Sequence, residues 1–194
     1  FRSMKDGEYY SRFALKDGKK SIIKYSFADM NKPGEIVLDG AQLVFNGKVL
    51  KVDDYEFNED ESKLLLTVNQ QQRYRRSFYA EYYLYDFTTK VLAPLDLDRS
   101  PQTLASYSPD GKKVAYIFKN NIYVKDLASG KVKAITKDGL ENNIINGTTD
   151  WVYEEEFAYT HAYEWSPNSE YIAYLRFDES KVKEFTMMYF EELY

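Results

Sequence analysis

Tyr107-Ser108-Pro109-Asp110-Gly111-Lys112-Lys113-Val114-Ala115-Tyr116 reads as one aromatic, a tight polar turn and an apolar strand. Asp-Gly supplies the positive φ that closes a tight hairpin. The same order occurs twice more. Phe57-Asn58-Glu59-Asp60-Glu61-Ser62-Lys63-Leu64-Leu65-Leu66 lies 50 residues before it, and Trp165-Ser166-Pro167-Asn168-Ser169-Glu170-Tyr171-Ile172-Ala173-Tyr174 lies 58 after it. A second element recurs: Leu84-Tyr85-Asp86-Phe87-Thr88-Thr89-Lys90-Val91 matches Val124-Lys125-Asp126-Leu127-Ala128-Ser129-Gly130-Lys131-Val132. Repeats of roughly 40–50 residues with strand chemistry predict propeller blades, because one such sheet cannot bury both faces alone. The expected fold is all-β: blades of four-stranded antiparallel sheet, with the repeat aromatic and apolar strand facing the core and an Asp-x-x-x-Gly/Lys turn joining the outer strands.

Outward from the repeat, one blade is expected before residue 51, a second to about 102, a third from about 103 and a fourth just begun by Tyr194. In the first blade, Tyr9–Leu15 and Ser21–Phe27 flank the hairpin signal Lys16-Asp17-Gly18-Lys19. Asn31-Lys32-Pro33-Gly34 marks a loop, Glu35–Leu38 and Gln42–Phe45 are short strands, and Asn46-Gly47 is another turn. Long amphipathic helices are not evident. Propellers close with about four to eight blades, so the chain is expected to be an incomplete propeller. It opens on Phe1 and is read as a processed chain or an excised fragment.

Composition agrees with strands: 19 Tyr and 12 Phe bring aromatics to 17%. The balance of 26 basic and 31 acidic residues gives −5, which argues against nucleic acid as a partner. There is no cysteine, which excludes disulfides and cysteine-ligated zinc, and a single histidine cannot build a histidine-rich metal site. No metal or cofactor is expected. No apolar run approaches the ~18–20 residues of a membrane span, and no signal peptide is visible.

The array is interrupted between Lys137-Asp138-Gly139 and Trp165, which places an insertion near 140–163 in the third blade. It holds Asp150-Trp151-Val152-Tyr153-Glu154-Glu155-Glu156-Phe157. Aromatics normally bury, whereas adjacent carboxylates repel and resist desolvation. The stretch is either a solvated acidic turn whose aromatics pack, or a rigid cation site on an aromatic anchor. Two carboxylates converging on an ammonium each accept a charge-assisted hydrogen bond. A basic hairpin loop, Gln72-Arg73-Tyr74-Arg75-Arg76-Ser77-Phe78, precedes it. Asn146-Gly147-Thr148 reads as a turn aiming the acidic run, and also as a glycosylation acceptor pattern expected by chance. His161 has no partner for acid–base work, and no G-x-S-x-G occurs in the chain.

The Asp150–Phe157 run resembles the glutamate motif of the dipeptidyl peptidase IV family, serine exopeptidases of the prolyl oligopeptidase class. Tyr74-Arg75-Arg76-Ser77-Phe78 is similar to that family's aromatic-arginine-basic-serine-aromatic pattern. The resemblance implies that this chain is the N-terminal part of the family's propeller, residues 1–194. It implies that Glu155 and Glu156 hold the substrate's free amine, with Glu154 outside the direct contact, and that Arg75 binds a backbone carbonyl and helps orient the glutamates. The implied full-length activity is release of N-terminal X-Pro or X-Ala dipeptides. The triad, oxyanion hole and proline pocket would belong to a C-terminal α/β-hydrolase domain absent here, so this chain alone is expected to be inactive. Peptides with a free N-terminus and that hydrolase domain are the implied partners, and a homodimer is implied for the parent. Animal members carry propeller disulfides, so the lack of cysteine points to a bacterial relative in the periplasm or on the outer surface. The alternatives are a non-catalytic peptide- or protein-binding propeller and a tripeptidyl or other exopeptidase relative.

Overall fold

The strands and turns assemble into successive four-stranded meanders in the computed structural model, which describes residues 1–186. The first sheet comprises β1 (Arg2–Ser3), β2 (Tyr9–Lys16), β3 (Lys19–Ser26) and β4 (Glu35–Leu38). A separate hairpin follows, β5 (Val44–Phe45) and β6 (Lys48–Val49), turning at Asn46-Gly47. The second sheet holds β7 (Val52–Phe57), β8 (Lys63–Gln72), β9 (Phe78–Asp86) and β10 (Leu92–Pro94). The third holds β11 (Thr103–Tyr107), β12 (Lys113–Phe118), β13 (Asn121–Asp126) and β14 (Val132–Ala134). The expected strand at Gln42–Phe45 divides: Gly40–Gln42 is a 3-10 turn capped by Asp39, and only Val44–Phe45 is extended. Among the described residues these sheets stay open and do not close into a barrel.

The repeat is conserved in hydrogen bonding rather than in letters. Asn58 Oδ1, Ser108 Oγ and Ser166 Oγ each accept from the backbone five residues on, at 2.8, 2.9 and 2.9 Å. Glu61, Gly111 and Ser169 each take a left-handed φ, of 56°, 67° and 61°. One side-chain acceptor and one left-handed residue define this turn. The second recurring element behaves alike. Lys90 N–H donates to Asp86 O and Gly130 N–H to Asp126 O, with both donors at positive φ.

Each pair of neighbouring sheets encloses its own core. Ile22 and Leu38 of the first sheet meet Leu64, Leu66, Val68 and Tyr83 of the second. The other face of the second sheet, Leu65, Ala80 and Tyr82, meets Tyr107, Val114 and Tyr116. Ala115, Ile117 and Ile122 then pack on Tyr163. Period-two alternation sends neighbours on β8 and β12 to opposite cores, which is why both strands read as unbroken apolar runs. The three repeat aromatics, Phe57, Tyr107 and Trp165, enter three successive cores, as expected.

The fourth unit has a different geometry. β15 (Ile144–Asn146) pairs with β18 (Arg176–Asp178), and β16 (Tyr163–Trp165) pairs with β17 (Ile172–Tyr174). Registers run Trp165↔Ile172, Tyr163↔Tyr174, Asn146↔Arg176 and Ile144↔Asp178, so β15 and β16 lie end to end against one continuous partner. Between them Ala162 N–H donates to Gly147 O at 3.1 Å, where a peptide bond would otherwise carry the strand on. Residues 148–161 form an excursion from the middle of this strand. The insertion expected in the third blade therefore belongs to the fourth unit, because the third sheet is already finished at Ala134. Residues 187–194 of the expected fourth blade lie outside the described residues.

Candidate functional site

The excursion is tied at its base. Thr148 Oγ donates to Thr160 O at 3.2 Å, Thr149 Oγ to Tyr159 O at 2.7 Å, and Thr148 bridges to His161. Both threonines are buried. Gly147, at φ 76°, marks the exit, and a Cβ there would fall 2.8 Å from Ile117 Cδ1 in the third sheet's core. Asn146 donates to Asp138 Oδ1 at 3.0 Å and is fully buried, so the Asn146-Gly147-Thr148 triplet is a structural joint inaccessible to a glycan.

From this base the chain enters α1 (Trp151–Phe157), capped by Asp150 Oδ1 accepting from Tyr153 N–H at 2.8 Å. Ala158 closes it in the left-handed region. No helix was expected here. The helix exposes its aromatics: Trp151 is 54% and Phe157 67% accessible, so the expected buried aromatic anchor is absent. Tyr153 sets its ring edge-on to Phe177 of β18 at 4.9 Å. Seven residues offer too little apolar face to be held by packing, and the anchor is instead a carboxylate.

That carboxylate is Glu154, 2% accessible. Its Oε1 accepts from Arg76 N–H at 2.6 Å and Ser77 N–H at 2.8 Å. Burial pushes its carboxyl up, but the hydrogen bonds from the Arg76 and Ser77 amides, with the Arg73 charge, outweigh burial and hold it below the usual range. The two amides carry this interaction, since the Ser77 hydroxyl finds no hydrogen-bond partner among the described residues. Hydrogen bonds to a charged group contribute about 1.5–3 kcal/mol each.

The loop so gripped is the tip of β8–β9, residues 73–77, closed by Arg73 N–H to Ser77 O at 2.9 Å. A register shift between Val68 and Gln71, with Asn69 at φ 54°, carries this hairpin beyond its sheet. Thr103 Oγ, entering the third sheet, donates to Phe78 O at 2.8 Å and props its root. Arg73 lies over the rings of Tyr74 and Tyr79.

Arg75 leaves the tip and meets Glu155: Nη2 to Oε1 is 2.8 Å, with side-chain accessibilities of 66% and 23%. An ion pair this open contributes at most about 0–1 kcal/mol. Glu156 is exposed, and no ion pair reaches it among the described residues. The structure thus joins Arg75 to Glu155, leaves Glu156 facing solvent beside them, and turns Arg76 to backbone duty. Such an arrangement can present carboxylate oxygens and a guanidinium fork to one small charged end of a ligand.

Glu179 follows β18. Burial and the Asp150 charge push its carboxyl up, against Arg73. His161 sits half-buried against Tyr163, ring centroids 4.3 Å apart, and burial holds its imidazole down. Its Nε2 finds no partner among the described residues. No cluster of three or more potential metal ligands occurs among the described residues, and none of their helices is long and apolar enough to cross a membrane.

The family model for the dipeptidyl peptidase IV N-terminal region matches residues 58–193. Dipeptidyl aminopeptidase B of Saccharomyces cerevisiae is 36% identical over 157 residues, covering 80% of this chain and 19% of the relative. The crystal structure of Porphyromonas gingivalis dipeptidyl peptidase 4 is similar at 33% identity with a TM-score of 0.86, covering 100% of this chain and 27% of that one. The chain therefore spans only about a fifth to a quarter of the length of these relatives.

Proposed function

The chain belongs to the dipeptidyl peptidase IV family, and on that ground we propose that it forms the substrate-gripping part of the propeller of an exopeptidase releasing dipeptides from free N-termini. Glu155 and Glu156 receive the protonated α-amine, and Arg75 receives a backbone carbonyl. A free α-amine, of pKa about 7.7–8.0, is largely protonated at neutral pH, so two carboxylates distinguish it from a blocked terminus. The fixed separation between this clamp and the scissile bond then sets product length at two residues. The serine chemistry belongs to a hydrolase domain in the rest of the protein, with X-Pro and X-Ala ends preferred. The parent is a bacterial protein of the periplasm or outer surface and a homodimer.

The observation that carries this reading is the Arg75–Glu155 pair at 2.8 Å, formed by two segments 80 residues apart in sequence. The test uses the full-length protein and a Gly-Pro reporter, with free or acetylated amine. Wild type is expected to cleave only the free form, and Glu155→Ala/Glu156→Ala to lose that cleavage. Equal cleavage of the acetylated reporter would reject the amine clamp.

A further inference from the structure

We propose that Glu154, which touches no substrate, is the positioning residue that sets the spacing between Arg75 and Glu155. The proposal rests on the amine-clamp reading above and deepens it. Arg75 sits on a hairpin rooted in the second sheet, and Glu155 on a helix rooted in the fourth unit. The Arg75–Glu155 pair is too open to hold two elements together. Among the described contacts between hairpin tip and helix, the buried one is Glu154 Oε1 with the amides of Arg76 and Ser77.

These amides belong to the two residues directly after Arg75. Glu154 directly precedes Glu155. The latch therefore lies one residue from each member of the pair it would position. Both ends are short, so a displacement of the carboxylate passes to Arg75 and Glu155 with little slack. The latch also removes one of three adjacent negative charges from the ligand's view. Glu154 is satisfied by amides, which leaves Glu155 and Glu156 to meet an ammonium. A ligand amine then faces a pair of carboxylates and not a triplet, which suits a single positive charge.

Glu154→Met keeps the side chain's length and loses the acceptor, whereas Glu154→Gln keeps an oxygen that can accept. In the full-length enzyme, Glu154→Met is expected to raise KM for the free-amine reporter by about tenfold or more, as misplaced binding groups do. Its preference for free over acetylated amine should fall in parallel. Glu154→Gln should stay within about threefold of wild-type KM, because its amide oxygen can still accept from both N–H groups and keep the latch closed. A residue that only stabilised the fold would lower the melting temperature and the fraction of competent enzyme, leaving KM and amine preference intact. That pattern in Glu154→Met would overturn the proposal. Failure of the underlying reading looks different: Glu155→Ala/Glu156→Ala would then keep wild-type amine preference. Hydrogen exchange on wild type gives an answer that needs no variant. The Arg76 and Ser77 amides should be protected, and free exchange at both would also overturn the latch.

Discussion

The third sheet and the excursion at 148–161 bury opposite kinds of residue. In the sheet, Val114, Ala115 and Tyr116 are fully buried, while Lys112 and Lys133 stay outside. In the excursion, Trp151, Val152, Tyr153 and Phe157 face solvent, and Glu154 is the side chain taken in from the helix. The sheet is held by apolar area, which is tolerant of direction. The excursion is held by a threonine-tied base and one carboxylate, which are directional and charge-dependent. The excursion thus depends on directional bonds, and the sheet on area.

This contrast predicts unequal responses. Tyr116 is fully buried and its hydroxyl bonds Asp96, so Tyr116→Ala should cost about 3–5 kcal/mol, the range of large aromatic truncations. Urea denaturation should show the loss as a shifted midpoint for the whole propeller part, and an unchanged midpoint would contradict the core assignment. Gly147→Ala acts at the joint. Left-handed φ and the approach to Ile117 together should cost about 2–3 kcal/mol, and the variant should lose amine selectivity before it loses fold.

Acid should separate the two parts without mutation. A carboxyl whose folded pKa is depressed stabilises the fold above its unfolded value, near ~4.3 for glutamate, and that stability fades as pH falls through the folded value. Glu154 is lowered, so the helix should release the hairpin as pH drops below the ordinary glutamate range. In the second sheet Asp86 is held down at about 2 by Lys63 and the Thr89 amide, and the β8–β9 ladder rests on apolar area that does not titrate. Exchange at residues 73–77 should therefore rise with acid before the β8–β9 ladder opens. Simultaneous opening would argue that one cooperative unit spans both. The smallest effect is a gain: Lys90→Gly should stabilise by about 0.5–1 kcal/mol, since Lys90 holds a left-handed φ of 58° where the third sheet uses Gly130. A shift of the thermal midpoint would measure it.

The blades were legible because their signals are local. A side-chain acceptor, a left-handed residue and an apolar strand follow one another within ten residues, as in Ser108–Ile117, and each stands for a hydrogen bond present in the structure. The site was legible only in outline. Arg75, Glu155 and Glu156 could be named from the family resemblance, but the three adjacent glutamates look alike in sequence. Which one buries depends on the helical turn that Asp150 starts and on a hairpin 77 residues upstream. Asp150 as a cap before Trp151 was the available signal for that helix. The exposed Trp151 and Phe157 had no such signal, because aromatic burial is a matter of neighbours and a helix of about two turns on a stalk has few.

The hydrogen bond between Gly147 and Ala162 has a consequence for how such a site can change over generations. It makes the host strand indifferent to what is spliced between its halves. Gly147 N–H reaches Leu175 O at 3.0 Å and Leu175 N–H reaches Ala162 O at 2.9 Å, so the seam is sealed from the partner side as well. Lengthening a closed loop adds only about 0.6 kcal/mol per doubling. The excursion can therefore be trimmed, extended or exchanged as a cassette while the blade beneath it stays in register, so its length is free to drift separately from the stability of the scaffold.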